Sequence, residues 1–157
     1  MKSLVALGSN LGDRNHYLHQ GRELLAGLGH VVASPLTLET PDESGRGPAY
    51  LNTVICLQSL ETDPRRLLES FLRMEYQLGR DRSLGKNQPR TLDLDLLATD
   101  QGPLHATWTS PTDLQHCGVT LTLDLPHPKA GQRSFVLEPL AALIHHYPEA
   151  GVIKILA

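Results

Sequence analysis

The chain has 157 residues, 14 Lys and Arg against 17 Asp and Glu, a formal charge of −3, and 4% aromatic residues. That length suits one domain, residues 1–157, with a core of its own, and the near-neutral balance excludes a protein held to DNA or a membrane by bulk positive charge. No apolar run approaches the ~18 residues of a membrane helix, and Leu4 to Leu7 is too short for a secretory signal, so a cytoplasmic location is expected.

Leu4-Val5-Ala6-Leu7 reads as a buried strand that stops at Gly8. A helix over Asp13–Leu28 follows, with Tyr17, Gly21, Leu24, Leu25 and Leu28 at helical spacing and Gly29 suited to its end. Val31–Glu39 is extended, and Thr40-Pro41 through Gly47-Pro48 is a polar loop. Tyr50–Leu60 reads as a central strand, with Tyr50, Asn52, Val54 and Cys56 on one face and Leu51, Ile55 and Leu57 on the other. Asp63-Pro64 supplies a cap and a first-position proline for a second helix. Leu67, Phe71, Met74 and Leu78 form its buried stripe, Gly79 stops it, and Glu75 lies at the stripe's edge, an unusual place for a free carboxylate. Arg80–Pro89 reads as a loop and Thr91–Ala98 as a strand. Thr99–Asp124 holds turn signals, the only Trp and a weakly marked strand at Val119–Leu123, and Pro139–His145 reads as a short final helix. The order fits an α+β fold of the ferredoxin-like type, an antiparallel sheet with helices on one face plus extra elements.

The run Thr91-Leu92-Asp93-Leu94-Asp95-Leu96 carries the sharpest chemistry. Residues two apart on a strand share a face, so Asp93 and Asp95 project together with Cα atoms roughly 6–7 Å apart. Such a pair suits hard cations such as Mg²⁺, although an amphipathic strand with a wet acidic face has the same pattern. Just upstream, residues 73–90 carry Arg73, Arg80, Arg82, Lys86 and Arg90 against only Glu75 and Asp81. An Arg-rich arm beside paired carboxylates is what polyphosphate chemistry requires, since metals neutralise some phosphate oxygens and guanidinium forks bind others; taken alone, the arm also reads as a solvated loop. Gly79–Asn87 fails as a P-loop, for its spacing is wrong and it follows a helix. Gly8-Ser9-Asn10-Leu11-Gly12 lacks the third glycine of a dinucleotide fold. His16, His19, His145 and His146 read as exposed helix residues. Pro126-His127-Pro128 fixes a histidine a few residues before Arg133, a pattern that serves phosphate binding and a simple turn equally. Two cysteines build neither a disulfide framework nor a four-thiolate zinc site; Cys56 reads as core, and Cys117 beside His116 carries little weight.

Several segments, in order, are similar to one family from end to end: Ala6-Leu7-Gly8-Ser9-Asn10-Leu11-Gly12, Thr40-Pro41, Tyr50-Leu51-Asn52, Glu75 with Gly79-Arg80, Pro89-Arg90-Thr91-Leu92-Asp93-Leu94-Asp95, Pro126-His127-Pro128, and Arg133 with Phe135-Val136-Leu137. The chain resembles the 6-hydroxymethyl-7,8-dihydropterin pyrophosphokinases, folate-pathway enzymes that transfer pyrophosphate from ATP to a pterin alcohol. The resemblance implies a ferredoxin-like fold with mobile loops, two Mg²⁺ ions held by Asp93 and Asp95, and ATP as co-substrate. It implies Arg80, Arg90 and Asp95 in catalysis, with Glu75, Arg80, Arg82, Arg90, His127 and Arg133 on the nucleotide. The pterin is expected near Thr40, Pro41 and Asn52, with the rings of Tyr50 and Phe135 close by and Asp95 near its hydroxyl. ATP and the pterin alcohol are then the partners, with no nucleic acid, membrane or obligate protein partner.

The chain departs from the family pattern in four places. Leu38 stands where the family often has Tyr, Asn87 where many members have Trp, and Thr122 where some have a basic residue. The connection from Asp95 to Pro126 is longer than usual and contains Trp108. Rival readings are a catalytically silent pterin- or nucleotide-binding relative, an RNA-binding module, and a metal-dependent nuclease. The RNA reading lacks the strand aromatics such a module stacks on bases.

Overall fold

The first strand is apolar on both faces, which suits the middle of a sheet covered on both sides. The computed structural model describes residues 1–85 and 88–156. In order come β1 (Lys2–Ser9), α1 (Arg14–Ala26), β2 (Gly29–Ala33), β3 (Leu38–Thr40), β4 (Tyr50–Ser59), α2 (Pro64–Gln77), β5 (Asp93–Thr99), β6 (Leu104–Thr109), β7 (Thr120–Leu125), α3 (Ser134–His146) and α4 (Val152–Leu156). The main sheet runs β2-β4-β1-β5, with β3 pairing β4 beyond the end of β2, and every pair is antiparallel. This is the ferredoxin-like order read from the sequence, an α+β architecture.

Both helices of the split unit start on a capping aspartate. Asp13 accepts from the His16 amide and Asp63 from the Arg65 amide, with Pro64 opening α2. They cover one face of the sheet, where Leu18, Leu25, Leu67 and Phe71 meet Val5, Leu7, Ile55, Leu57, Leu94 and Leu96. The other face is not open. There Leu4, Val54, Cys56 and Leu97 pack against Val136, Leu140 and Leu143 of α3 and Val152 and Ile155 of α4. The expectation of helices on one face is therefore corrected to helices on both.

Three further differences have physical causes. The expected final helix from Pro139 begins at Ser134 and is followed by α4. Proline favours a first turn, but here Pro139 lies inside α3, buried, and its carbonyl accepts from the Ser34 hydroxyl at 2.7 Å. The weak strand at Val119–Leu123 is β7, and it pairs with β6, a strand in a region whose sequence shows only turn signals. Trp108 of β6 belongs to the inner face of that hairpin and donates from Nε1 to Glu69 Oε1 of α2 at 2.9 Å. Beyond it, a single 3₁₀ segment (Thr112–Cys117) lies on α2: Leu114 packs with Leu72 and Leu121, and Arg73 pairs with Asp113 at 2.7 Å. The unusually long connection is thus a second, two-stranded sheet docked on α2. Among the described residues no helix is long and apolar enough to cross a membrane. Lys86 and Asn87 lie outside the described residues, so the basic residue of the arm and the departure named at those positions do too.

Candidate active site

At one end of the sheet, on the α3 side, residues from three strands line up. Gly8 of β1 lies opposite Asn52 of β4 and opposite Asp93 of β5, and Ala6 lies opposite Asp95. Strand alternation sends Leu94 into the α1–α2 core and leaves Asp93 and Asp95 together on the opposite face, at its uncovered end. Gly8 allows close packing here: a Cβ would fall 3.2 Å from Asn52 Oδ1 and 3.3 Å from Tyr50 Cδ1, and those side chains would have to give by a few tenths of an ångström. Asn52 is buried and aimed by its own bonds, donating to Leu38 O at 3.2 Å and to Thr40 Oγ1 at 3.0 Å. Burial pushes the Tyr50 phenol up to about 12, so the ring stays neutral.

The arginine arm meets the carboxylates through Gly79, whose φ of +94° turns the chain sharply after α2. The turn lets the Arg80 amide donate to Glu75 O at 3.0 Å and brings the Arg80 guanidinium between Glu75 and Asp93. Arg80 Nη1 reaches Asp93 Oδ1 at 3.0 Å, Arg90 Nη1 reaches the same oxygen at 3.3 Å, and Arg82 Nη2 lies 3.6 Å from Glu75 Oε1. Asn10, buried, fixes Arg90 from behind: its Oδ1 accepts from the Arg90 amide at 2.8 Å and its Nδ2 donates to Pro48 O at 3.1 Å. Glu75 is 2% exposed. Burial, then the charge of Asp93, pushes it up to about 8 against the pull of Arg80 and Arg82.

The far wall follows β7. The His127 amide donates to Leu97 O at 2.7 Å, tying the Pro-His-Pro turn to β5. The Lys129 amide donates to His127 Nδ1 at 3.2 Å, so that nitrogen accepts and Nε2 is left to carry the ring proton. Burial, reinforced by Arg133, lowers the His127 pKa, which keeps the ring neutral. Arg133 lies 5.4 Å over the Phe135 ring, contacts Asp95 at 3.9 Å and pairs with Glu43 at 2.8 Å.

These groups enclose one cleft of about 480 Å³. It brings together every site residue picked out in the sequence. Asp93, Asp95, Glu75, Arg80, Arg82 and Arg90 lie toward one wall. His127, Arg133 and Phe135 line another, with Thr40, Pro41, Tyr50 and Asn52 beside them. Sequence reasoning passed over an apolar slot of Leu68, Leu72 and Leu121, next to Cys117 and Thr122. A helical signal for the first two was present, since Leu68 and Leu72 repeat at four residues beside the recognised stripe of α2. Glu43 and Lys129 had no signal, because nothing local tells where a charged loop residue meets its partner.

Asp95 is pushed up to about 7, first by burial and then by the charge of Asp93, despite Arg133. Two carboxylates in that relation are stabilised by a proton or by a cation. Among the described residues no group of three or more His, Cys, Asp and Glu is set to hold a metal. A donor set of two carboxylates fits Mg²⁺, which takes one or two from protein and completes its octahedron with water and substrate phosphate.

Carboxylates paired on one strand, guanidinium forks around them, and an amide-and-aromatic recess beside them define a phosphotransferase of the kinase type. The chain belongs to the 7,8-dihydro-6-hydroxymethylpterin-pyrophosphokinase family, whose model matches residues 4–145. It is 33% identical over 142 residues to the 2-amino-4-hydroxy-6-hydroxymethyldihydropteridine pyrophosphokinase of Bacillus subtilis, covering 88% of this chain and 75% of that one. The enzyme of the same name from Porphyromonas gingivalis is 32% identical over 141 residues, 87% of this chain and 86% of that one. A mitochondrial folate synthesis bifunctional protein from pea is 29% identical over 143 residues, 90% of this chain but 25% of its own length.

Proposed function

We propose that residues 1–157 work as one pyrophosphokinase domain in which Asp93 and Asp95 hold two Mg²⁺ ions. The reaction is transfer of pyrophosphate from ATP to 6-hydroxymethyl-7,8-dihydropterin, a step of folate synthesis. The hydroxymethyl oxygen bonds to the β-phosphorus and its proton passes to solvent, the bond from that phosphorus to the oxygen bridging the α-phosphorus breaks, and AMP leaves with that oxygen. The observation that carries the assignment is the shared Asp93 oxygen at which Arg80 and Arg90 converge, two residues before Asp95 on the same strand.

Held by Asp93 and Asp95, Mg²⁺ would supply neutralisation of phosphate charge. The chain's own residues do the rest. Arg80 and Arg90 bind the oxygens whose charge grows as the bridge bond breaks. Arg82 assists from the arm, and Glu75 holds Arg80 and Arg82 in place from beneath. His127 offers Nε2–H and Arg133 its fork to the triphosphate. Thr40, Pro41 and Asn52 receive the pterin ring, Tyr50 and Phe135 flank it, and Asp95 accepts the hydrogen bond of its hydroxyl. Catalysis is then mostly positioning and charge neutralisation.

The test is to incubate the protein with ATP, Mg²⁺ and the pterin alcohol and to identify the nucleotide product. Pterin-dependent AMP is expected, lost in Asp93→Ala and in Asp95→Ala. ADP instead of AMP, or pterin binding with no AMP, would reject this reading.

A further inference from the structure

Arg133 is incompletely satisfied within the cleft. Its side chain is 19% exposed, yet its buried Nε has no hydrogen-bond partner among the described residues. Nη1 lies 3.9 Å from Asp95, too far for a hydrogen bond, and among the described residues the one carboxylate closer than that is Glu43, 2.8 Å from Nη2. Glu43 comes from the loop between β3 and β4, the loop that also carries Pro41 into the cleft. That loop is shaped from within. The Asp42 carboxylate accepts from the Ser44 hydroxyl and from the Gly47 amide, and Asp42 O accepts from the Gly45 amide at 2.8 Å. Its exit is anchored by Asn10 at Pro48 and by Arg14, which donates to Ala49 O at 2.9 Å. Glu43 is thereby presented to Arg133 across the mouth of the cleft.

We propose that Glu43 is a positioning residue, an internal carboxylate that takes up Arg133 while no nucleotide is bound and must give it up to a phosphate group. The inference rests on the reading of Arg133 as a nucleotide-binding group. Glu43 is 60% exposed, and ion pairs with such a partner are weak because water and salt compete for both charges. A phosphate brings more negative charge and more acceptors, and it fills both arms of a guanidinium fork. The exchange therefore runs toward the nucleotide, but its net gain is reduced by the contact that is broken. Holding Arg133 at the cleft, Glu43 lowers nucleotide affinity and keeps the fork from turning elsewhere.

The sign of this effect is the reverse of that expected for an ordinary cleft residue. Equilibrium binding of Mg²⁺ with a non-hydrolysable ATP analogue is measured for the full chain, for Glu43→Gln, for Arg133→Ala and for the double variant. Glu43→Gln is expected to bind about two- to fivefold more tightly, in line with the worth of an exposed pair; Arg133→Ala is expected to bind more weakly, and the gain from Glu43→Gln is expected to vanish in its background. Weaker or unchanged binding by Glu43→Gln, with Arg133→Ala impaired, overturns the inference and leaves Arg133 as a nucleotide ligand. A gain that persists without Arg133 overturns it too, because Glu43 then acts by repelling the triphosphate directly. No loss in Arg133→Ala rejects the reading of Arg133 itself. Inorganic triphosphate as a second probe gives the same pattern if the contact is with phosphate, and a base- or sugar-dependent effect counts against the inference.

Discussion

A carboxylate at 2% exposure between two guanidinium groups has a proton affinity decided by competition. For Glu75 burial wins, raising it from 4.5 to about 8. The folded chain therefore binds a proton that the unfolded chain releases at lower pH. That contribution to stability is fully present below about 4.5 and is lost as pH rises through about 8. Glu75→Gln keeps an amide oxygen toward Arg80 and removes the titration. Chemical denaturation from pH 5 to 9 should show the wild type losing stability relative to Glu75→Gln as pH rises. A constant difference across that range would reject burial as the dominant influence.

At the scale of elements, the two-stranded sheet explains Trp108. Its ring lies between the hairpin and α2, and its Nε1–H satisfies Glu69. Trp108→Phe retains an aromatic ring and loses the donor, so it should cost about 1 kcal/mol in denaturant unfolding with little change in m-value. A neutral effect would mean that water replaces the bond. Much of this level was readable in advance. The period-two pattern of Asp93 to Leu97 and the Asp63-Pro64 start of α2 are local signals, and the chain obeys them. Pro139 misled because a first-turn preference is only statistical, and α3 starts earlier through apolar contacts of Val136 and Leu140 that lie across the sheet. β6 alternates too, but Ala106 and His105 are weak strand formers between turn residues, and it is pairing with β7 that decides it. The cleft's composition was legible in the motifs; the Glu43–Arg133 contact was not, because it depends on how two distant loops come to face each other.

At the scale of the whole molecule, one sheet is shared by two cores. Phe71 is fully buried with α1 and α2 on one side, and Leu143 is fully buried with α4 on the other. Phe71→Ala should cost about 3–5 kcal/mol and Leu143→Ala about 2–5 kcal/mol. Because β1 and β4 serve both layers, each variant should still unfold in a single transition, the same by far-ultraviolet circular dichroism and by Trp108 fluorescence. Separate transitions would show that the α3–α4 layer melts independently. The net charge of −3 lies outside the cleft, since within it Arg80, Arg82, Arg90, Lys129 and Arg133 are matched by Asp42, Glu43, Glu75, Asp93 and Asp95. A small polyphosphate meets the local field, not the average.

The row Asp93, Gly8, Asn52 crosses three neighbouring strands. Under the proposed function its ends serve opposite halves of the reaction, phosphate at one and pterin at the other. Two ladder spacings separate them, about 10 Å between Cα atoms. That interval is a gauge made of backbone hydrogen bonds, and the identity of the side chains does not alter it. Substitutions at either end can change how tightly each substrate is held while leaving the span between them intact. Only a slip in strand register resets it, and a slip of one residue in β5 would turn both aspartates into the apolar layer beneath. The chain can therefore vary widely in its loops and keep its reacting atoms at the same separation.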